Sequence, residues 1–272
     1  MIDRFKQFPA ALASQVRPLR LGGAPALVAH PDWSCPAPVV IWFHGRTANK
    51  ELDPGRYLRW IRAGIAACAV DLPGHGERFD ETMQKPERSL DVIETGVREV
   101  DGIVASLREL SERESWPIDL ERMGIGGMSA GGMVTLRRLC EPHQFRCVAV
   151  EATTGDLGGL YFAESGPRWP VTHSRERVSR VDPSEHLDGW RPIPLLALHS
   201  EADRIIPVAG QRAFIERLRR QYSERGMDPA MVEWLTWPET GAPEEHIGFG
   251  RVSNDAKNAQ TAFFRKWLID AA

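Results

Sequence analysis

The chain is poor in several features that carry whole classes of function. No stretch of its 272 residues approaches the roughly 18 consecutive apolar residues of a membrane span. The opening Met1 to Ala13 carries Asp3, Arg4 and Lys6 and never forms the apolar centre of a secretory leader. Charge of one sign is also scarce: 34 Lys and Arg against 37 Asp and Glu leave a net charge of -3, with no basic block to hold a nucleic acid backbone. There are only four cysteines, Cys35, Cys68, Cys140 and Cys147, none spaced as CxxC. They read as buried free thiols of a reducing compartment, so a cytoplasmic protein without nucleic acid or membrane partners is the expectation.

Cofactor signatures are missing as well. The glycines fit neither GxxxxGK[ST] nor GxGxxG, and no HExxH or compact His/Asp/Cys cluster suggests a metal; His30, His143, His173 and His186 have no ligand spacing, and His199, at a strand end, reads as structural. No cofactor is expected. There is no internal repeat and no low-complexity tract.

What is present is enough apolar residue, 42%, for a sizeable core, in a chain whose length suits one large domain. Short apolar runs alternate with helical patterns. Pro18–Leu21 and Pro25–Ala29, flanking Gly22 and Gly23, suit an antiparallel pair. Val39–Phe43 and Ile65–Val70 read as strands buried on both faces, joined by a helix over Tyr57–Ala63 and therefore parallel. A long helix runs from Asp91, with Val92, Ile93, Val97, Val100, Ile103, Val104, Leu107 and Leu110 on its apolar stripe, and ends before Pro117. Further strands are expected at Arg122–Gly127, Cys147–Glu151, Pro194–His199 and Met231–Trp237, and further helices at Val208–Tyr222 and Asn254–Ile269. The alternation predicts a three-layer α/β/α sandwich around a mostly parallel sheet. Between Thr153 and Trp190 the alternation fails, with Gly155, Gly158, Gly159 and Gly166 punctuating it. That segment is expected to form a small cap or ordered insertion within a single domain over 1–272.

One junction carries chemistry. Gly127-Met128-Ser129-Ala130-Gly131 is a GxSxG between a strand and a helix, where small residues let the chain reverse sharply and project the serine. A serine hydroxyl needs a base to take its proton and an acid to orient that base. Downstream, Asp203 follows one strand end and His246 the next. Glu151 and Asp156, after the preceding core strand, compete with Asp203 for the acid. Asp71, in Asp71-Leu72-Pro73-Gly74-His75-Gly76, reads as a turn acid.

With the order Ser129, Asp203, His246, the His44-Gly45-Arg46 turn, the Asp71 to Gly76 segment and Asp182-Pro183-Ser184-Glu185-His186-Leu187, the chain resembles the α/β-hydrolase superfamily. It is similar in particular to single-domain esterases and the catalytic domains of prolyl oligopeptidase-like enzymes, over roughly Val39 to Ile269. The resemblance implies Ser129 as nucleophile, His246 as general base and then acid, and Asp203 as orienter. It also implies an oxyanion hole from the backbone amides of Arg46 and Ala130. Candidate substrate contacts are the Arg46 side chain, His44, His75 and an apolar wall from Tyr161, Phe162, Trp169 and Trp190. The same aromatics would serve core packing or a homo-oligomeric contact.

The expected activity is that of a cofactor-independent serine hydrolase, a carboxylesterase acting on small or medium esters through an acyl-enzyme. A hydrolase of small peptides or aminoacyl amides is the nearest alternative. A non-enzymatic ligand receptor on the same fold is the other.

Overall fold

The computed structural model describes residues 10–164 and 169–271; most of the opening segment and Gly166 lie outside them. A four-residue helix α1 (Ala10–Ala13) precedes the hairpin β1 (Val16–Leu21) and β2 (Ala24–Ala29). Gly22 and Gly23 turn that hairpin with positive φ. Then follow β3 (Ala37–Phe43), α2 (Pro54–Arg62), β4 (Ala66–Val70), α3 (Ser89–Arg113), β5 (Ile118–Met128), α4 (Ala130–Arg138) and β6 (Cys147–Glu151). The chain continues through α5 (Leu157–Tyr161), α6 (Arg175–Val181), β7 (Leu195–Ser200), α7 (Val208–Glu224), β8 (Val232–Trp237) and α8 (Ser253–Arg265).

The eight strands form one sheet in the order β1-β2-β4-β3-β5-β6-β7-β8. β1 and β2 are antiparallel, as are β2 and β4; every pair from β4 through β8 is parallel. Strand β3 shows why this sheet is covered on both faces. Its alternate residues Val39, Ile41 and Phe43 enter one core with Val100 and Leu107 of α3, Val134 of α4 and Phe214 of α7. Val40 and Trp42 enter the other, with Trp60 of α2 and Phe263 and Phe264 of α8. Period-two alternation thus feeds both helical layers, and the all-apolar strand has no polar face to offer water.

Several expectations need correction. β5 starts at Ile118, ahead of Arg122, because Ala37 and Pro38 pair with Ile118 and Asp119 before the register shifts to Val39 and Met123. Cys35 is exposed, whereas Cys68, Cys140 and Cys147 are buried, and burial pushes the Cys68 and Cys140 thiols up to about 12. The Thr153–Trp190 excursion, expected as a small cap or ordered insertion, carries secondary structure of its own among the described residues. It holds α5, α6 and two single 3-10 turns, and Asp182 pins it by accepting from the Gly158 and Ser184 amides at 2.6 and 3.0 Å.

Candidate active site

Ser129 sits where β5 gives way to α4, with φ 52° and ψ −120°, a conformation that L-residues adopt only under constraint. Several contacts supply it. The Ser129 amide donates to Glu151 O at 3.0 Å, and Ser129 O accepts from Thr153 Oγ1 at 2.7 Å. The flanking glycines are there for room: a Cβ on Gly131 would lie 2.3 Å from Phe43 O, and one on Gly127 would lie 2.4 Å from the Gly131 carbonyl carbon. Gly45 also approaches the serine, so that a Cβ there would be 3.4 Å from Ser129 Cβ. The His44-Gly45-Arg46 turn therefore lies against the nucleophile elbow.

His246 Nε2 is 3.0 Å from Ser129 Oγ, and His246 Nδ1 is 2.8 Å from Asp203 Oδ2. All three residues are buried or nearly so. Asp203 Oδ1 accepts from the Ile205 and Ile206 amides, both at 2.8 Å, which fixes the carboxylate plane. The competing acids are committed elsewhere. Glu151 accepts from Nη1 and Nη2 of Arg56, the closer at 2.6 Å, and from the Gln260 amide at 2.9 Å. Asp156 caps α5 through the Gly159 amide at 2.8 Å. Asp71 binds the Lys50 amide and ammonium, both at 2.9 Å, and the Glu77 amide at 3.0 Å.

Two residues to which sequence reasoning gave no site role, Glu245 and His199, brace the histidine and the acid. Glu245, beside His246, accepts from the Thr240 amide and hydroxyl, the Gly241 amide and Ser200 Oγ, and these donors hold its carboxyl down at about 2. Ser200 ends β7, so this carboxylate ties the loop of His246 to the strand that leads to Asp203. His199 lies 3.5 Å from Asp203 Oδ2 through Nε2, which also approaches Ile206 O at 2.9 Å; burial lowers its pKa. The only sequence cue to Glu245 was its adjacency to His246, and to His199 its place at a strand end.

The cleft beside Ser129 is small, with an empty volume of about 280 Å³ counting space open to solvent. Arg46, Tyr161 and Trp169, three of the candidate contacts, line it. So do Ser89 and Ile93 from the first turns of α3, Ala130 and Met133 from α4, Leu160 and Ile206. Ser89 and Ile93, and Ala130 and Met133, are helical neighbours at i, i+4 and i, i+3, a spacing the sequence displays without showing which cavity it faces.

The other candidate contacts lie away from this wall. Trp190 is fully buried in the core, stacking edge-on against Phe214 and donating from Nε1 to Tyr222 Oη at 3.0 Å. Phe162 packs under the Arg175 guanidinium, 4.5 Å from the ring centre. His44 is a turn brace: Nδ1 donates to Gly45 O at 2.6 Å, Nε2 accepts from the Leu72 amide at 3.0 Å, and burial lowers its pKa to about 4. His75 packs beside it, buried, with Nδ1 2.9 Å from Pro73 O.

A hydroxyl, an imidazole and a carboxylate in one hydrogen-bonded line can perform nucleophilic attack with proton shuttling. Comparison with known proteins agrees with that chemistry. A model of the prolyl oligopeptidase family matches residues 57–270, most of the chain. The chain belongs to the prolyl oligopeptidase family. Its sequence is 24% identical to Esterase YjfP of Escherichia coli (strain K12) over 93% of this chain and 99% of that protein. It is 26% identical to the putative esterase YitV of Bacillus subtilis (strain 168) over 69% of this chain and 77% of that one. Among solved structures, an acylaminoacyl peptidase of Pyrococcus horikoshii superposes with a TM-score of 0.71 at 19% identity, covering 98% of this chain but 43% of the peptidase. This prolyl oligopeptidase-family member is thus a serine hydrolase of the esterase and peptidase superfamily on an α/β-hydrolase fold.

Proposed function

We propose that this protein is a carboxylesterase that cleaves small esters through an acyl-enzyme on Ser129. The observation that carries the reading is the line from Asp203 through His246 to Ser129, with contacts of 2.8 and 3.0 Å, at the edge of a small and largely apolar cleft. His246 takes the serine proton as Oγ adds to the ester carbonyl, and gives it to the departing alcohol. A water, deprotonated by the same ring, then frees the acid.

Developing negative charge on the carbonyl oxygen is met by the amides of Arg46 and Ala130. Among the described residues, no loop or side-chain acceptor takes either amide. Ala130 is the first residue of α4, so its N–H has no partner within its own helix. Donors fixed in place favour the anionic tetrahedral intermediate over the neutral ester.

In this reading the chain is one hydrolase domain, and residues 153–190 are a cap that supplies Leu160, Tyr161 and Trp169 to the acyl wall. Three buried free thiols support a cytoplasmic site of action. Among the described residues, no helix is long and apolar enough to cross a membrane. The same machinery could attack an amide, and the family, together with the Pyrococcus peptidase, favours that as the second reading.

The test is turnover of acetyl, butyryl and longer p-nitrophenyl esters against aminoacyl amides, by wild type and Ser129→Ala. Loss of ester turnover by about 10⁶-fold in a folded variant is expected, the scale of removing such a nucleophile. Near wild-type turnover rejects the mechanism, and faster amide than ester cleavage replaces it with the peptidase reading. A receptor would bind ligand without fluorophosphonate labelling of Ser129.

A further inference from the structure

Among the described residues that line the cleft, one side chain is formally charged, the cation Arg46. Its guanidinium is held by neutral groups: Nη1 donates to Ser89 Oγ and Nη2 to Gln84 O. A guanidinium carries five N–H donors, so these contacts fix its plane and leave donors over. Among the described residues no carboxylate comes within ion-pairing distance of it. The acids on the segment that holds it are otherwise placed: Asp91 pairs with Arg88 and Arg177, while Glu87 is exposed. Burial lowers the Arg46 pKa against the weaker opposing pull of Tyr161 and the exposed Glu87, so its charge sits partly desolvated with no carboxylate in direct contact.

Its surroundings also suit an anion. Tyr161 lines the same wall, and burial pushes its phenol pKa well up, so the hydroxyl stays a neutral donor. Ser89 begins the 25-residue α3, whose positive end therefore meets the cleft. The leaving oxygen must face His246 to be protonated, which leaves the wall of Arg46, Tyr161 and Trp169 for the acyl side of the ester.

We propose that Arg46 selects esters whose acyl portion ends in a carboxylate, the half-esters of short dicarboxylic acids. This rests on the esterase reading above. For monomethyl glutarate, Ser129 Oγ displaces methanol, which leaves with the serine proton relayed by His246, and water then releases glutarate from the acyl-enzyme. The carboxylate of the substrate takes the donors of Arg46 that Ser89 and Gln84 leave over.

The experiment compares kcat/KM for monomethyl glutarate with that for methyl 4-carbamoylbutanoate, which replaces the carboxylate by a neutral amide of the same shape. Wild type is expected to prefer the anion by about 10- to 100-fold, the scale of a charge-assisted hydrogen bond. Arg46→Gln should bring the ratio near unity, and Arg46→Lys should restore part of it. A wild-type ratio at or below unity overturns the proposal, as does a ratio that survives Arg46→Gln. Glutarate binding to Ser129→Ala and to Ser129→Ala/Arg46→Gln, measured by calorimetry, separates the two levels of inference. Arg46-dependent binding with no turnover of any ester upholds the anion subsite and rejects the esterase reading. Turnover of methyl butyrate without Arg46-dependent glutarate binding does the reverse.

Discussion

Replacing Asp203 by asparagine tests the catalytic line without altering its shape. The carboxylate accepts two backbone amides on Oδ1 and the His246 ring on Oδ2, all at 2.8 Å. An asparagine must keep its carbonyl oxygen toward Ile205 and Ile206, because an NH2 there would face two donors and leave them without acceptors, at about 1–3 kcal/mol each. Its NH2 then points at His246 and donates to Nδ1. The ring proton moves to Nε2, which can no longer accept from Ser129 Oγ. The expected loss in kcat is about 10⁴-fold, or roughly 5 kcal/mol of barrier at about 1.36 kcal/mol per decade. Stopped assays with p-nitrophenyl butyrate measure it, and circular dichroism melting checks that the variant is folded. A folded Asp203→Asn enzyme that loses less than about tenfold refutes the tautomer argument, since a ring oriented wrongly for proton abstraction costs far more.

Other outcomes follow from the same structure. Tyr222→Phe should lower the urea midpoint, because the hydroxyl serves Trp190 Nε1, the Ile193 amide and Ile193 O; each orphaned group costs about 1–3 kcal/mol. Activity per folded molecule should stay unchanged, and an altered acyl-chain profile would show that Trp190 reaches the cleft after all. Met133→Ala should shift the preferred p-nitrophenyl ester to a longer acyl chain by deepening the cleft, whereas an unchanged profile would place the acyl group elsewhere. Stability should fall with acid. Burial holds His30, His44, His75 and His199 below their ordinary value of 6.5, His44 at about 4. Between those pH values the unfolded chain binds more protons, so unfolding free energy is full above about pH 6.5 and declines toward about pH 4. Urea titrations at several pH values check the sign, and a midpoint rising on acidification contradicts it.

The parts of the fold legible in the sequence are those where one strand serves two cores. Val39–Phe43 and Cys147–Val150 are uninterrupted apolar runs because both faces are covered, and the bounds of their strands could be read almost to the residue. The N-terminal part of β5 was hidden because Ile118 to Arg122 alternates with Asp119 and Glu121, and its pairing to Ala37 and Pro38 is set by a distant partner. At the candidate site, Ser129 was readable because its strained turn demands small neighbours in sequence. Asp203 and His246 were readable because each follows a strand end. The cleft wall was not, since Trp190 and Trp169 are alike in composition and only tertiary packing sends one to the core and the other to the surface of a cavity. Arg46 was visible as a position in a turn. The neutral partners that hold its guanidinium, Ser89 and Gln84, lie about forty residues away in sequence.

The connection between β6 and β7 brings Leu160, Tyr161 and Trp169 to the cleft but contributes none of Ser129, Asp203 and His246. Part of the cleft wall and the reacting line are therefore carried on separate pieces of chain. An exchange of the stretch between Asp156 and Asp182, its anchors at Gly155 and Ser184 kept, would re-tailor the guest without disturbing the engine. A lineage with this layout can diversify its diet through one excursion while the strands beneath it stand still.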